Sequence, residues 1–380
     1  MPPKLVIIAT SGRALAQSAV KRRRQVVVLD AFADRDTRAA AEVARVAADE
    51  GIALDPERLL TALAAQAQES RPDIVIGSGL EHAPELASRI AAHGRVYANQ
   101  PATIATLKDP ELATALLHAT GWDVPITQRD PPTDCRGWLQ KQAGATGGAH
   151  VRRARNAPGG AHVYFQREVR GQPMSVTFLA DGERAWLLGF NRLRTATRGE
   201  AAFCFGGAVG NVAVALPLRA RTQSRLDRLV RVTGLRGLAG VDFVLADREP
   251  VAIEINPRPT ATFELYDGDF PEGLLHWHVL SFERPVPELA ERLGQEGAAC
   301  RALGIIYADR LVRIPANAGF PDWCRDLPSG ETTIAAGSPV LSVFAEAETA
   351  QEAERQLNAR TRAVHELLAS WVGAAQRAVA

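Results

Sequence analysis

The sequence predicts a protein of mixed α/β and α+β class. A parallel α/β domain comes first, then a region rich in antiparallel strands, then a small C-terminal β-rich region that ends in a helix. Three observations carry this. Short runs of β-branched residues alternate with helical stretches over the first 100 residues. Hairpins marked by glycine and proline follow between about 100 and 290. A long helical pattern closes the chain at 349–372.

Taken in order, residues 4–10 (KLVIIAT) read as a buried strand that ends in the turn Ser11-Gly12, and RALAQSAVKRR follows with helical spacing. Residues 25–30 (QVVVLD) are a second strand. The alanine-rich stretch 37–50 predicts a helix, as does 57–69. Residues 73–77 (DIVIG) are a third strand and 84–92 a further helix. This alternation implies a parallel sheet covered on both faces, with ligands beyond the carboxyl ends of its strands. The first turn, TSGRALA, lacks GxGxxG, so a nicotinamide dinucleotide is not expected there, although Asp30 ends the second strand.

Beyond residue 100, 110–121 reads as a helix ending at a glycine. WDVPIT, a loop at DPPTD and the strand GWLQKQ come next, then a glycine-rich loop over Gly144, Ala145, Thr146, Gly147 and Gly148. Strands VRRAR and HVYFQREV flank a turn at Pro158-Gly159-Gly160. MSVTFLA and AWLLGFNRL flank Asp181-Gly182, a strong hairpin signal. A helix at 221–233 precedes GVDFVLA and PVAIEINP, which the turn DREP joins. ALGIIYA and SPVLSVFA are the last strands, and residues 285–300 are the best candidate for a joint.

Composition narrows the function. The chain has 380 residues, enough for two or three domains at roughly 150 residues each. Net charge is +1, from 44 basic and 43 acidic residues, so neither nucleic acid nor an anionic membrane is expected as a partner. The run Lys21–Arg24 reads as solvated surface. Four cysteines lie far apart without a CxxC pair, so neither a disulfide framework nor a cysteine zinc site is expected. The start MPPKLVIIATSG lacks the longer apolar core of a signal peptide, and no run reaches the roughly 20 apolar residues of a membrane span. The expected location is a reducing cytoplasm.

The strongest chemical signal is GVDFVLADREPVAIEINPRP. A hairpin through DREP places Asp242 near Glu254, and Glu254 and Asn256, two apart on one strand, share a face. Two carboxylates and an amide oxygen on one face suit Mg²⁺ held jointly with nucleotide phosphates. Arg258 follows with a planar donor fork for a phosphate oxygen. Glu254 lies among Ala252, Ile253 and Ile255, and a buried carboxylate requires a cation. The second signal is Lys141 four residues before GATGGAH: a loop free of side chains offers backbone N–H groups to phosphates, and the lysine adds charge. It is not a Walker A loop, since no GK[ST] follows. Lys108, in LKDPELATALLHATG, and the segment YFQREVRGQPMSV carry no signal alone.

In this order and spacing these pieces resemble the ATP-grasp superfamily: Lys108 at the head of a helix, Lys141 with Gly144–Gly148, a hinge strand with Gln166, Val169, Gly171 and Ser175, and the DFV…EINPRP hairpin. The segment SGRALAQSAVKRRRQVVVLDAFADRDTR, and the C-terminal stretch from GIIYADRL onward, are similar to predicted carboligases of archaea and methylotrophic bacteria. The EINPRP segment is also similar to that of tyramine–glutamate ligases of methanofuran synthesis. The resemblance implies a pre-ATP-grasp α/β domain at 1–100, a small lobe at 101–165, a large lobe with the metal site at 166–290 and a C-terminal β-rich extension at 291–380.

It further implies ATP and Mg²⁺ as cofactors, with Mn²⁺ the alternative ion. ATP would meet Lys108, Lys141, Gly144, Thr146, Gly147, Gly148, Gln166, Arg167, Glu168 and Val169; the metal would meet Asp242, Glu254 and Asn256; Arg258 and Lys141 would be catalytic. Relatives carry an acid late in the hinge for the ribose. Here Gly171-Gln172-Pro173-Met174 has none, leaving Glu168. The implied activity is carboxylate–amine ligation through an acyl phosphate, on a small amino-acid-like substrate, in the making of a one-carbon carrier. Its partners would be a small carboxylate and an amine, with a leaning to a homodimer. Arg192 and Arg194, with Arg198, are candidates for the substrate, or else a charged strand. The loop FCFGGAVGN (203–211) is a candidate border of the acceptor pocket. Cys204 reads as a packed small residue, and His276 and His278 as facing different ways on a helix. The alternatives are a bicarbonate-dependent carboxylase and a non-catalytic nucleotide-binding protein; intact Lys141, Asp242, Glu254 and Asn256 argue against the second.

Overall fold

The computed structural model describes residues 3–49, 51–68, 71–155, 159–199, 201–293 and 299–379. The N-terminal region runs β1 (Leu5–Ile8), α1 (Arg13–Val20), β2 (Val26–Asp30), α2 (Arg35–Ala40), β3 (Glu42–Arg45), α3 (Pro56–Gln66), β4 (Asp73–Ile76), α4 (Pro84–Ala91) and β5 (Arg95–Tyr97). Among these residues the strands form a parallel sheet in the order β3-β2-β1-β4-β5. All four residues of β1 are buried. Val6 and Ile8 join a core with Leu59, Leu63 and Ile90, while Leu5 and Ile7 face a core that includes Leu179, Phe263 and Leu274 of the following region. One face of the sheet is thus closed by α3 and α4, and the other by α1 together with elements of the following region.

The helix expected over 37–50 is corrected. α2 stops at Ala40, and Glu42–Arg45 pair with Val27–Asp30 as an edge strand. Alanine spacing favoured helix, but ladder hydrogen bonds to β2 outweigh that weak preference.

The next segment holds α5 (Pro101–Lys108), α6 (Pro110–Ala119) and a small sheet of β6 (Thr127–Gln128), β7 (Trp138–Gln142), β8 (Arg152–Arg153) and β9 (Val163–Arg167), ordered β6-β9-β7-β8. Asp109 separates the two helices. Its side chain accepts the N–H groups of Glu111 and Leu112, both at 3.0 Å, and so caps α6. Lys108 therefore sits at the tail of α5, not at the head of a helix as expected. Pro158, of the expected Pro158-Gly159-Gly160 turn, lies outside the described residues.

The remaining elements are β10 (Gln172–Asp181), β11 (Ala185–Arg198), β12 (Ala201–Val209), α7 (Leu216–Thr233), β13 (Arg236–Ala246), β14 (Glu249–Asn256), α8 (Glu264–Asp267), α9 (Leu274–Glu283), β15 (Cys300–Tyr307), β16 (Val312–Arg313), β17 (Cys324–Arg325), β18 (Thr333–Ile334), β19 (Pro339–Ala347) and α10 (Ala350–Val379). Among the described residues one antiparallel sheet runs β14-β13-β10-β11-β12-β15-β19-β17, so the C-terminal strands extend the same sheet that carries the EINP hairpin. Residues 203–211, expected as a loop, are mostly β12. Part of the expected joint at 285–300, residues 294–298, lies outside the described residues. Among the described residues no helix is long and apolar enough to cross a membrane.

Candidate functional site

The β13–β14 hairpin forms as its sequence demands. Asp242 lies directly opposite Glu254, and Gly240 opposite Asn256. Neighbours across a sheet share a face, so the row continues through Ser175 of β10 and Asn191 of β11. Asn191 is fully buried and donates to Ser175 Oγ (3.0 Å) and Thr177 Oγ1 (2.9 Å), while Tyr266 Oη donates to its Oδ1 (2.7 Å). A hydrogen-bonded polar layer thus fixes the strand spacing beneath the acids.

Lys108 enters this group from the tail of α5. Its Nζ donates to Glu254 Oε1 at 2.6 Å and to Asn256 Oδ1 at 3.0 Å, and Asn256 Nδ2 donates to Asp242 Oδ2 at 3.1 Å. Burial works against ionisation of both carboxyls, and their paths then diverge. Lys108 and Lys141 hold Glu254 below the usual carboxylate range, whereas burial and the neighbouring Glu254 push Asp242 up to about 7. Lys141, on β7, donates to Gln166 Oε1 at 2.6 Å, and burial pushes its ammonium down despite Glu254 and Asp242.

Above them lies the glycine loop. Gly147 O accepts the N–H of Phe205 at 2.9 Å, and a Cβ on Gly148 (φ +76) would lie 2.0 Å from Phe203 O. Only glycine lets the loop lie on β12 this closely.

Five expected residues therefore come together: Lys108, Lys141, Asp242, Glu254 and Asn256. Gln166 is tied to the group through Lys141. Arg167 and Glu168 use their amides within the lobe, to Ile126 O and Gly137 O. Their side chains meet Arg136 O at 2.9 Å and Arg153 at 3.2 Å. Val169 follows directly, between β9 and β10, where the chain crosses from the four-stranded sheet to the eight-stranded one. Arg258 pairs with Glu81, whose other oxygen accepts Gly79 N–H at 2.7 Å; burial opposes ionisation of Glu81, but Arg258 and Lys108 outweigh it and keep its carboxyl low. Arg192 and Arg194 are carried to α10, where they donate to Glu354 at 2.6 and 3.2 Å, with Arg194 also reaching Asn358 at 2.8 Å.

Cys204 is buried in β12. His278 is buried, with Nδ1 accepting Leu238 N–H at 2.9 Å, and burial pushes it down to about 4.

Three residues near this group escaped the sequence reading. His150 lies close enough to Glu254, Lys141 and Lys108 to feel their charges; its Nδ1 is buried with no partner among the described residues, and burial pushes the ring's pKa down. Tyr164, paired with Lys141 across β7 and β9, has its phenol pushed well up by burial and by Glu254. Glu81 was findable, since it sits on the loop after β4, at the ligand edge of the parallel sheet.

The donor set fits a hard cation shared with phosphate oxygens: all oxygen, two carboxylates close enough to repel, and an amide. Two carboxylates and one amide oxygen would fill only part of an octahedral shell, which leaves room for phosphate oxygens.

Comparison with known proteins bears on the fold. Residues 110–262 match the model of the ATP-grasp domain. An uncharacterized protein of Methanocaldococcus jannaschii is 27% identical over 115 residues, which is 29% of this chain; the chain spans only 26% of that relative. Among solved structures, Rhizobium etli pyruvate carboxylase matches with a TM-score of 0.71 at 13% identity, over 95% of this chain and 37% of that one. The biotin carboxylase domain of Hydrogenobacter thermophilus 2-oxoglutarate carboxylase, in complex with MgADP, ADP and bicarbonate, has a TM-score of 0.72 at 14% identity, over 95% and 90% of the two chains. L-amino acid ligase from Bacillus licheniformis has a TM-score of 0.68 at 12% identity, over 94% and 97%. At these identities the structures show a shared fold.

Proposed function

From a chain that carries an ATP-grasp domain over residues 110–262, we propose an ADP-forming, Mg²⁺-dependent ligase that joins a small, amino-acid-like carboxylate to an amine through an acyl phosphate. One observation carries this reading: two carboxylates, an amide oxygen and two buried lysines converge on one face of the large sheet, next to a glycine loop.

Asp242, Glu254 and Asn256 would hold the metal. When bound, it supplies charge neutralisation on the phosphates. Lys108 and Lys141 would turn from their present carboxylate and amide partners toward phosphate oxygens, and the backbone of Gly144, Thr146, Gly147 and Gly148 would offer N–H groups. Arg258 would face the substrate carboxylate and the acyl phosphate made from it. The Arg167 and Glu168 amides are engaged within the lobe, so the Val169 backbone would take the adenine edge. Glu168, held by Arg153, would have to exchange that partner to reach a ribose.

In the reaction a carboxylate oxygen attacks the γ-phosphorus and the bond to the β,γ-bridging oxygen breaks, releasing ADP. The amine nitrogen then attacks the acyl carbon, the carbon–oxygen bond to phosphate breaks, and the nitrogen loses a proton. Two anions meet in the first step, and the clustered cations offset that repulsion.

The test is ADP release from Mg-ATP against a matrix of amino acids and amines, with Glu254→Gln as control. ADP that forms with one acid–amine pair and vanishes in the variant supports the ligase. Release with bicarbonate alone overturns it in favour of a carboxylase. Glu254→Gln turnover equal to wild type would sink the site assignment.

A further inference from the structure

A second charged cluster lies at the carboxyl end of the N-terminal sheet. Asp30 ends β2, Asp34 and Asp36 follow it, Glu264 opens α8 and Asp326 comes directly after β17. Arg13, 3% exposed, stands among them. Its guanidinium grips both Glu264 oxygens, with Nη2 donating at 2.7 Å; its Nε donates to Asp326 at 2.8 Å and lies 3.7 Å from Asp36. Arg325 is near Glu264, but its Nη1 donates to the carbonyls of Asp322 and Cys324. Five carboxylates and one guanidinium thus make up the cluster.

The protein satisfies four of the five. Asp30 accepts the N–H groups of Gly12, Phe32 and Ala33 at 3.1, 3.2 and 2.8 Å. Asp36 accepts those of Asp326 and Leu327 at 2.8 and 2.9 Å. Glu264 has Arg13, and Asp326 has Arg13 and the Ser11 hydroxyl. Asp34 is the exception. It is 7% exposed, and among the described residues no hydrogen bond or ion pair reaches its carboxylate. Burial, then the charges of Asp326, Asp30 and Asp36, push its carboxyl up to about 9, and Arg13 offsets this only in part. A carboxyl so placed stays protonated near neutral pH and ionises only when a cation is brought to it, and the protein does not bring one.

The cluster lies at the edge where ligands of parallel sheets sit. Thr10 N–H bonds Ser78 O at 2.7 Å, joining the loop after β1 to the loop that carries Glu81 and, through it, Arg258. Glu264 is itself only six residues beyond Arg258. The acids thus adjoin the phosphate-side group through neighbouring loops. The cation they favour is not a tightly ligated metal: four of the five carboxylates are already engaged by protein donors, which leaves one carboxyl group as a ligand. An ammonium needs one free carboxylate oxygen and a negative surround, and both are present.

We propose that this cluster is a subsite for a protonated amine on one of the substrates, with Asp34 as its direct partner and Asp36 and Asp326 completing the negative surround. The proposal rests on the ligase reading above and specifies its substrate class: a molecule that bears an ammonium group distinct from the reacting carboxylate.

The test is calorimetric titration of the full chain with butylamine, phenethylamine and ethylenediamine, each against its hydroxyl analogue, with Mg-ADP as a control ligand. At least one amine should bind about tenfold tighter than its alcohol, the worth of one charge-assisted hydrogen bond. Asp34→Asn should remove that preference and leave the Mg-ADP Kd within about twofold. Asp34→Lys supplies the missing cation from the chain itself; it should raise the melting temperature of the free protein and abolish amine binding. Wild-type protein that binds no amine better than its alcohol overturns the subsite, as does an amine preference that survives Asp34→Asn. If wild type binds amines but not Mg-ADP, the ligase reading fails and the subsite stands. If it binds Mg-ADP without amine preference, the subsite alone fails.

Discussion

Asp242→Asn should stabilise the nucleotide-free protein while abolishing its activity. The carboxyl of Asp242 is raised from 3.8 to about 7 by burial and by Glu254. An acid raised in the folded state binds a proton that the unfolded chain has lost, so stability falls as pH rises from the lower value to the higher. Above the higher value the full penalty applies: roughly three pH units at about 1.4 kcal/mol each, an upper limit of about 4 kcal/mol. Relaxation of the site reduces this to about 1–3 kcal/mol. The amide removes the penalty and can keep the hydrogen bond to Asn256. Glu254→Gln acts the other way. Glu254 is held low, so its contribution is present at neutral pH; removing it leaves the Lys108 ammonium, 6% exposed, with Asn256 alone, at a cost of about 3 kcal/mol. Urea unfolding of both variants at pH 5 and pH 8, without nucleotide, measures the difference. The gain from Asp242→Asn should shrink to about 1 kcal/mol or less at pH 5. Both variants should lose ADP formation. An Asp242→Asn protein as destabilised at pH 8 as Glu254→Gln, or a gap that ignores pH, would refute the account of two acids competing for one cation.

Other outcomes follow from the same geometry. Lys141→Met should weaken Mg-ATP binding at least about tenfold in equilibrium titration, while the free protein loses little or no stability near neutral pH, because burial already disfavours that ammonium. Gly148→Ala should weaken nucleotide binding without unfolding the sheet, since a Cβ would lie 2.0 Å from Phe203 O and force the loop off β12; proteolytic nicking within 144–150 would report the opened loop. Replacing Arg192 and Arg194 together by alanine should cost about 1 kcal/mol through loss of the Glu354 contacts. If they act only as fasteners of α10, ADP formation stays near wild type; a large rise in KM for the acid substrate would instead place them at the substrate.

The β13–β14 hairpin was legible because its information is local. A two-residue alternation and a short turn suffice to set Asp242 opposite Glu254 and put Asn256 on the same face. The glycine loop and its lysine were legible for the same reason. The partners of these residues were not. Lys108 meets Glu254 across 146 positions, and nothing in its own neighbourhood marks it; even its helix, α5, was missed, because α5 and α6 are parted by Asp109 alone. Arg192 finds Glu354 on α10, 162 positions away. Glu81 and His150 each stood beside a recognised feature, a strand end and a glycine loop, but their bearing on Arg258 and Glu254 appears only once the lobes meet. Short edge strands such as β3 and β5 exist by virtue of their neighbours, so their sequences say little. The acid cluster is the extreme case, drawn from positions 13 to 326 with no shared motif.

The placement of β15 beside β12 bears on how the chain can be cut. Gly207 makes that contact tight, for a Cβ there would lie 2.1 Å from Leu303 O. A chain ended before Cys300 would not be a smaller version of the same machine. It would present β12 as a raw strand edge, with unpaired N–H and C=O groups inviting another copy to add itself. It would also free the far side of the surface on which the glycine loop rests. Removing the tail therefore exchanges an internal seam for an aggregation edge, and slackens the glycine loop from the far side of the sheet.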